Sequence, residues 1–258
     1  TEKSGVAAPL GWKTGVAMVD INADGYIDIY LSRSGDLPPE SRRNILFINN
    51  KDLTFTNQAE AYGLDDDSYS TQAAFFDYDL DGDLDCYILN NSFIPVNTLN
   101  YSNKRDLRAK DWPVADFIKG GGDRLMRNDN GVFTDVSEAA HIYGSLIGFG
   151  LGVTVGDVNG DHYPDIYVSN DFFERDYLYI NQQDGTFKDD LENRIRHLSH
   201  SSMGADMADI NNDGYLDMMI CKSGYKDPDL RKKILYINNK NNTFTNRAAG
   251  YGLDDASY

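Results

Sequence analysis

Apolar residues in this chain fall in short runs of strand character, broken by turns rich in Gly, Asn and Asp. The first set predicts strands over residues 15–20, 26–32, 44–49 and 54–59, dominated by Val, Ile, Tyr, Phe and Thr. No segment sustains a helical period. The same order of runs then recurs three more times.

The recurrence is a true repeat. Residues 20–69 align with 209–258 without a gap, with 29 identities in 50 positions. Asp20-Ile-Asn-Ala-Asp-Gly-Tyr-Ile-Asp28 matches Asp209-Ile-Asn-Asn-Asp-Gly-Tyr-Leu-Asp217. Between them lie Asp77-Tyr-Asp-Leu-Asp-Gly-Asp-Leu-Asp85 and Asp157-Val-Asn-Gly-Asp-His-Tyr-Pro-Asp165, and the motif starts are 57, 80 and 52 residues apart. Four antiparallel strands per repeat predict an all-β fold, a β-propeller of four-stranded blades. A solenoid is the structural alternative, with fewer strands per unit. The blades are expected over about 11–60, 70–137, 147–190 and 201–249. Both ends fall in mid-repeat, so the expectation is a window on a longer propeller of about seven blades.

The loops between first and second strands share the pattern Asp-x-Asp/Asn-x-Asp-x-x-x-Asp. Side-chain oxygens come from Asp20, Asn22, Asp24 and Asp28; Asp77, Asp79, Asp81 and Asp85; Asp157, Asn159, Asp161 and Asp165; and Asp209, Asn211, Asp213 and Asp217. Position seven, filled by Tyr26, Asp83, Tyr163 and Tyr215, is placed to offer a backbone carbonyl. An all-oxygen set rich in carboxylates suits Ca²⁺ better than Mg²⁺, and zinc would want His or Cys. An EF-hand is excluded, because its twelfth loop position must be acidic and here it is Leu31, Ile88, Val168 or Ile220. Ordinary acidic turns are the competing explanation, which four copies in register disfavour. Gly25, Gly82 and Gly214 occupy position six, where a left-handed residue is expected; His162 stands there in the third loop, which ranks that site last.

Charge narrows the field. Lys plus Arg is 24 and Asp plus Glu is 41, a net charge of −17, which four bound Ca²⁺ would reduce to −9. Nucleic acid and anionic membrane surfaces are disfavoured partners. No apolar run is long enough to span a bilayer, and the first residues carry no signal core. Cys86 and Cys221 sit in strand-like runs and are expected to be buried free thiols.

The spacing of 80 residues after the second motif marks an insertion over 91–122. It holds Lys104, Arg105, Arg108, Lys110 and Trp112, an unusual basic and aromatic group in an acidic chain. It joins second and third strands, so strand parity places it opposite the aspartate loops. It is read as a partner-binding loop, with Trp112 as anchor, against the plainer reading of a long solvated excursion.

Several segments resemble a known family. The aspartate loops, with Phe149-Gly150-Leu151-Gly152 and Met203-Gly204-Ala205 before two of them, are similar to FG-GAP repeats, also called VCBS-type repeats. The run from Asn170-Asp171-Phe172 to Tyr179-Ile180-Asn181 resembles the cartilage acidic protein and ASPIC/UnbV branch. So do Asp184-Gly185-Thr186-Phe187 and the run from Gly131 to Val136. The resemblance implies a secreted or cell-surface, calcium-binding propeller, related in architecture to the integrin α-subunit head. It does not imply an enzyme.

The leading functional expectation is a calcium-stabilised module that binds a protein or glycan on the face opposite the metal loops. The rivals are a propeller enzyme acting on polysaccharide and a structural subunit of a bacterial outer-membrane surface assembly. First strands contribute one acid, Asp206, where a glycosidase needs two carboxylates. The histidine pair His197 and His200 lacks metal-ligand spacing, and no nucleophile elbow or phosphate loop occurs.

Overall fold

A computed structural model describes residues 2–94, 105–172, 174–195, 201–223 and 231–255. Among the described residues, sixteen strands form four antiparallel sheets of four. The first holds β1 (Trp12–Val19), β2 (Asp28–Ser34), β3 (Ile45–Asn49) and β4 (Phe55–Asn57). The second holds β5 (Ser70–Phe76), β6 (Asp85–Asn90), β7 (Arg124–Asn128) and β8 (Phe133–Asp135). The third holds β9 (Gly150–Gly156), β10 (Asp165–Asn170), β11 (Tyr177–Asn181) and β12 (Phe187–Asp189). The fourth holds β13 (Ser202–Ala208), β14 (Asp217–Lys222), β15 (Ile234–Asn238) and β16 (Phe244–Asn246). Each sheet keeps the chain order of its strands, the topology of propeller blades.

Two differences from the sequence pattern have a physical cause. Tyr26 and Ile27 stay in the loop, and β2 starts at Asp28, because the Tyr26 N–H is taken by the Asp24 carboxylate at 2.9 Å. The fourth strand stops after three residues and turns into the single-turn helix α2 (Ala59–Tyr62), capped by Gly63 at φ 74°. Two more such turns are α1 (Pro39–Arg42) and α3 (Leu191–Arg194). Each pairing of first and second strands carries a register shift at the same place, between Lys13 and Gly15, Ser70 and Gln72, Ser169 and Asn170, and Ser202 and Gly204.

The chain divides into two compact units, residues 1–148 and 149–258, each a pair of blades. In the first, Tyr30, Leu46 and Ile48 of one blade pack with Cys86, Ile88, Met126 and Phe133 of the next. In the second, Tyr167, Leu178 and Ile180 pack with Met218, Ile220, Ile234 and Phe244. Cys86 is buried as expected, but Cys221 is exposed. It follows Ile220 in β14, and strand alternation turns it away from the core that Ile220 fills. Among the described residues no helix is long and apolar enough to cross a membrane.

Candidate functional site

The four aspartate loops share one hydrogen-bond scheme. The first aspartate accepts the N–H groups of positions five and six: Asp20 from Asp24 and Gly25 at 2.9 and 2.8 Å, Asp77 from Asp81 and Gly82 at 3.1 and 3.0 Å. Asp157 does so with Asp161 and His162 at 3.1 and 2.8 Å, and Asp209 with Asp213 and Gly214 at 2.9 and 2.8 Å. The fifth residue then accepts the N–H of position seven, from Tyr26, Asp83, Tyr163 and Tyr215. These bonds curl the loop so that its carboxylates converge.

Backbone strain is shared rather than confined to the third loop. Position six is left-handed throughout, at φ 87° for Gly25, 99° for Gly82, 72° for His162 and 89° for Gly214. Position four is left-handed as well, in Ala23, Leu80, Gly160 and Asn212. Each loop therefore has one non-glycine residue at positive φ, and the third merely exchanges the places of its glycine and its strained residue. The ranking of that loop below the others on His162 loses its basis.

The ninth aspartate has a second task. Asp28, Asp85, Asp165 and Asp217 are at most 1% exposed. In each, one oxygen accepts the N–H of loop position two and the other that of the last residue of the third strand. For Asp165 the partners are Val158 at 3.0 Å and Asn181 at 2.9 Å. Burial raises Asp28, and pushes Asp85 and Asp165 up to about 7 against the pull of those N–H groups. The asparagines complete the clamp: Asn49 donates to the Ile27 carbonyl at 3.1 Å and Asn128 to that of Leu84 at 3.1 Å. Repetition of these asparagines was visible in the sequence, but their role was not.

The second loop differs most from its siblings. One carboxylate oxygen from each of Asp77, Asp79 and Asp85 lies within 4.8 Å of the others. Asp79 Oδ1 and Asp83 Oδ1 are buried without a donor, as is Asn211 Oδ1 in the fourth loop. Asp83 thus brings a side-chain oxygen where only its carbonyl was expected. Burial, with neighbouring carboxylates adding to it, raises Asp79 and Asp83. Orphaned acceptors among mutually repelling carboxylates fit a hard cation, and would be costly without one.

In the first and fourth loops a lysine approaches instead. Lys51 Nζ lies 3.3 Å from Asp24 and 5.2 Å from the Tyr26 ring centre; Lys240 Nζ lies 3.4 Å from Asp213 and 5.4 Å from the Tyr215 ring. In the third, Gln183 donates to Asp161 at 3.1 Å.

The insertion leaves the far end of β6. Asn90 donates its backbone N–H to Asp123 at 3.0 Å and its amide to the Gly122 carbonyl at 2.9 Å, at the opposite end of the strand from Asp85. Residues 95–104, and with them Lys104, lie outside the described part, as do His197 and His200. Trp112 is half-buried: it packs against the small core formed by Ile94, Ala109 and Leu146, and its indole N–H donates to the Leu107 carbonyl at 3.0 Å. It ties the insertion to the segment that follows β8, where Leu146 and Ser145 lie. Arg108 is similarly engaged with the Ile142 carbonyl at 2.9 Å, and Arg105 is partly buried. Lys110 remains exposed, 3.4 Å from Glu138. Beside it opens a cleft of about 630 Å³ whose walls also carry Lys119 and Arg124, which the insertion's basic group does not include, together with Asp123, Asp135 and Glu138.

A family model described as an FG-GAP-like repeat matches residues 20–88, 114–168 and 163–220. No curated protein sequence matches the chain. Among solved structures, the chain is similar to an Agrocybe aegerita lectin described as specifically recognising non-reducing terminal N-acetylglucosamine. Identity is 15% and the TM-score 0.41, over 88% of this chain and 49% of that one. The chain thus spans about half the length of that structure.

Proposed function

We propose, from the premise that this chain belongs to the FG-GAP-like repeat family, that it is a calcium-stiffened binding module of a secreted or cell-surface protein. Its partner, an acidic protein patch or an anionic glycan, meets the end of the blades that carries the insertion. The observation that carries this reading is the two-ended use of β6. The strand starts at Asp85 in the loop with orphaned oxygens, and ends at Asn90, hydrogen-bonded to the base of the insertion.

Asp77, Asp79, Asp81 and Asp85 would hold Ca²⁺ in the second loop, with the Asp83 carbonyl or carboxylate completing the set. The equivalent residues serve in the other three loops. A bound Ca²⁺ supplies neutralising charge. The chain's own part is to hold the loop curl and, through the ninth aspartate, transmit its order to the third strand. Calcium sites of extracellular modules have Kd values of about 0.1–1 mM, a range in which loops of this kind would be filled in the secreted or cell-surface setting proposed here. Lys110, Lys119 and Arg124 line a concave site that also holds Asp123, Asp135 and Glu138, and each cation has a carboxylate neighbour (Glu138, Asp116 and Asp66) with which an anionic partner would compete. Membership of the cartilage acidic protein and ASPIC/UnbV branch is part of the same proposal, on residues 131–136, 170–181 and 184–187.

Calorimetry of the chelated chain with calcium chloride tests the metal half: saturable uptake at millimolar concentration or below is expected, and no uptake refutes it. Deleting residues 97–118 tests the other half. Calcium uptake is expected to persist while retention on a sulfated-glycan column or an acidic-peptide column is lost. Unchanged retention on both would refute the assignment of this face.

A further inference from the structure

The two blade pairs are built alike, and one difference between them points to a second binding site. In each unit the short helix after the fourth strand of one blade packs beside the outer strand of the next. Gly63, after α2, approaches the Phe133 carbonyl of β8, and Ile195, after α3, forms a bridge with Phe244 of β16. Tyr62, the last residue of α2, packs against the apolar core of the first unit. The last residue of α3 is Arg194, only 9% exposed.

Arg194 is half-satisfied. Its Nε donates to Asp190 at 2.9 Å, but its Nη1 is buried without an acceptor. Burying guanidinium N–H groups without partners is unfavourable, and a ligand oxygen that Nη1 reaches by a small side-chain shift toward the cavity would recover that loss. The residue lines a cavity of about 660 Å³ between α3 and β16, a volume suited to a small ligand.

The rest of the lining indicates what that ligand carries. Asn193, Asn239, Thr243, Thr245 and Asn246 contribute neutral amides and hydroxyls. Asn239 bridges the two threonine hydroxyls at 3.0 Å each. Asn246 Oδ1 accepts the Ala248 N–H at 3.0 Å, which leaves its amide N–H groups without an acceptor among the described residues. In the first unit, strand register puts Asp129, Val132 and Asp135 where the second has Asn239, Thr243 and Asn246. The first unit thus offers two carboxylates and a tyrosine; the second replaces them with amides and a buried cation. One fork-shaped cation fits one planar carboxylate, and a ring of amides and hydroxyls fits a polyol.

We infer that the cavity between α3 and β16 binds a carboxylate-bearing sugar of the hexuronate class, with Arg194 on its carboxylate. This site shares no residue with the aspartate loops or the insertion and does not rest on the function proposed for them.

The test titrates D-glucuronate into the calcium-saturated chain, with glucose as the neutral control, in wild type, Arg194→Met and Arg194→Tyr. Saturable glucuronate binding is expected below about 20 mM, at least about tenfold tighter than glucose, and at least about tenfold weaker in either variant. Arg194→Tyr installs the residue of the first unit and is expected to melt no lower than wild type. Side-chain amide signals of Asn239 and Asn246 are expected to shift with glucuronate in the wild type, which reads the site even if a variant misfolds. No saturable binding, binding retained in Arg194→Met, equal binding of glucose, or shifts confined to the aspartate loops would each overturn the inference.

Discussion

The carboxylate of Asp85 accepts the backbone N–H of Asn128 at 2.8 Å while its other oxygen accepts that of Tyr78 at 3.1 Å. One buried side chain therefore joins a loop to the third strand of its blade, independently of any ion. Asp85→Ala leaves two N–H groups without their acceptor and is expected to cost roughly 2–4 kcal/mol even in chelator. Asp79 has no such duty: Asn occupies its position in the other three loops, and its Oδ1 has no donor. Asp79→Asn is expected to hold or raise the melting temperature in chelator while weakening calcium uptake. Melts of both variants with and without calcium separate the two roles; equal losses in chelator would contradict the assignment.

Chelation of the wild type is expected to lower the melting temperature. A site with a Kd of about 0.1 mM in about 1 mM calcium adds roughly 1.4 kcal/mol, so four sites add about 6 kcal/mol, comparable with the stability of a whole domain. Asp81→Ala is expected to remove the largest single share, because the second loop has the most carboxylates. A melting curve indifferent to chelator would mean that the loops are turns only.

Lys51 Nζ and Lys240 Nζ lie against the carboxylates of Asp24 and Asp213. A cation entering there must displace an ammonium, whereas the second loop has no such competitor among the described residues. Lys51→Met is expected to tighten calcium binding by the first loop a few-fold, with the pair's surface position limiting the gain. Calorimetry of the variant in an Asp79→Asn background isolates the effect, and an unchanged affinity would count against it.

The far end of the blades predicts a pH dependence. Burial pushes Asp123 up to about 7 and Asp176 up to about 6. Both lie above the unfolded carboxylate value, so the folded chain holds more protons there than the unfolded one. Stability present below about pH 4 is lost as pH rises through the folded value, at up to about 1.4 kcal/mol per unit and group. Tyr87 donates to Asp123 at 2.8 Å, while in the preceding blade Asn44 donates to Tyr30 at 2.9 Å and accepts the Arg33 N–H at 2.7 Å. Asp123→Asn recreates the Asn44 arrangement without a titrating group. It is expected to flatten the fall in urea midpoint between about pH 5 and 7 in chelator; an unchanged slope would refute the linkage.

Periodicity alone determined the four blades, the four aspartate loops and the end from which the insertion leaves. Strand alternation, turn residues and strand parity are local rules that a repeat states four times over. Tertiary structure decided what each side chain does once placed. The ninth aspartate is a clamp because its oxygens meet N–H groups from two separate segments, a contact no spacing encodes. Trp112 and Arg108 face inward because the insertion packs on Leu146 and on the Ile142 carbonyl, both distant in sequence. Lys119 and Arg124 reach one cleft with Lys110 only after that folding. Cys221 is exposed although its run reads like that of Cys86, because burial depends on what packs over a strand as well as on the strand itself. The buried half-paired guanidinium of Arg194 was likewise invisible, since only the approach of α3 to β16 takes it out of water.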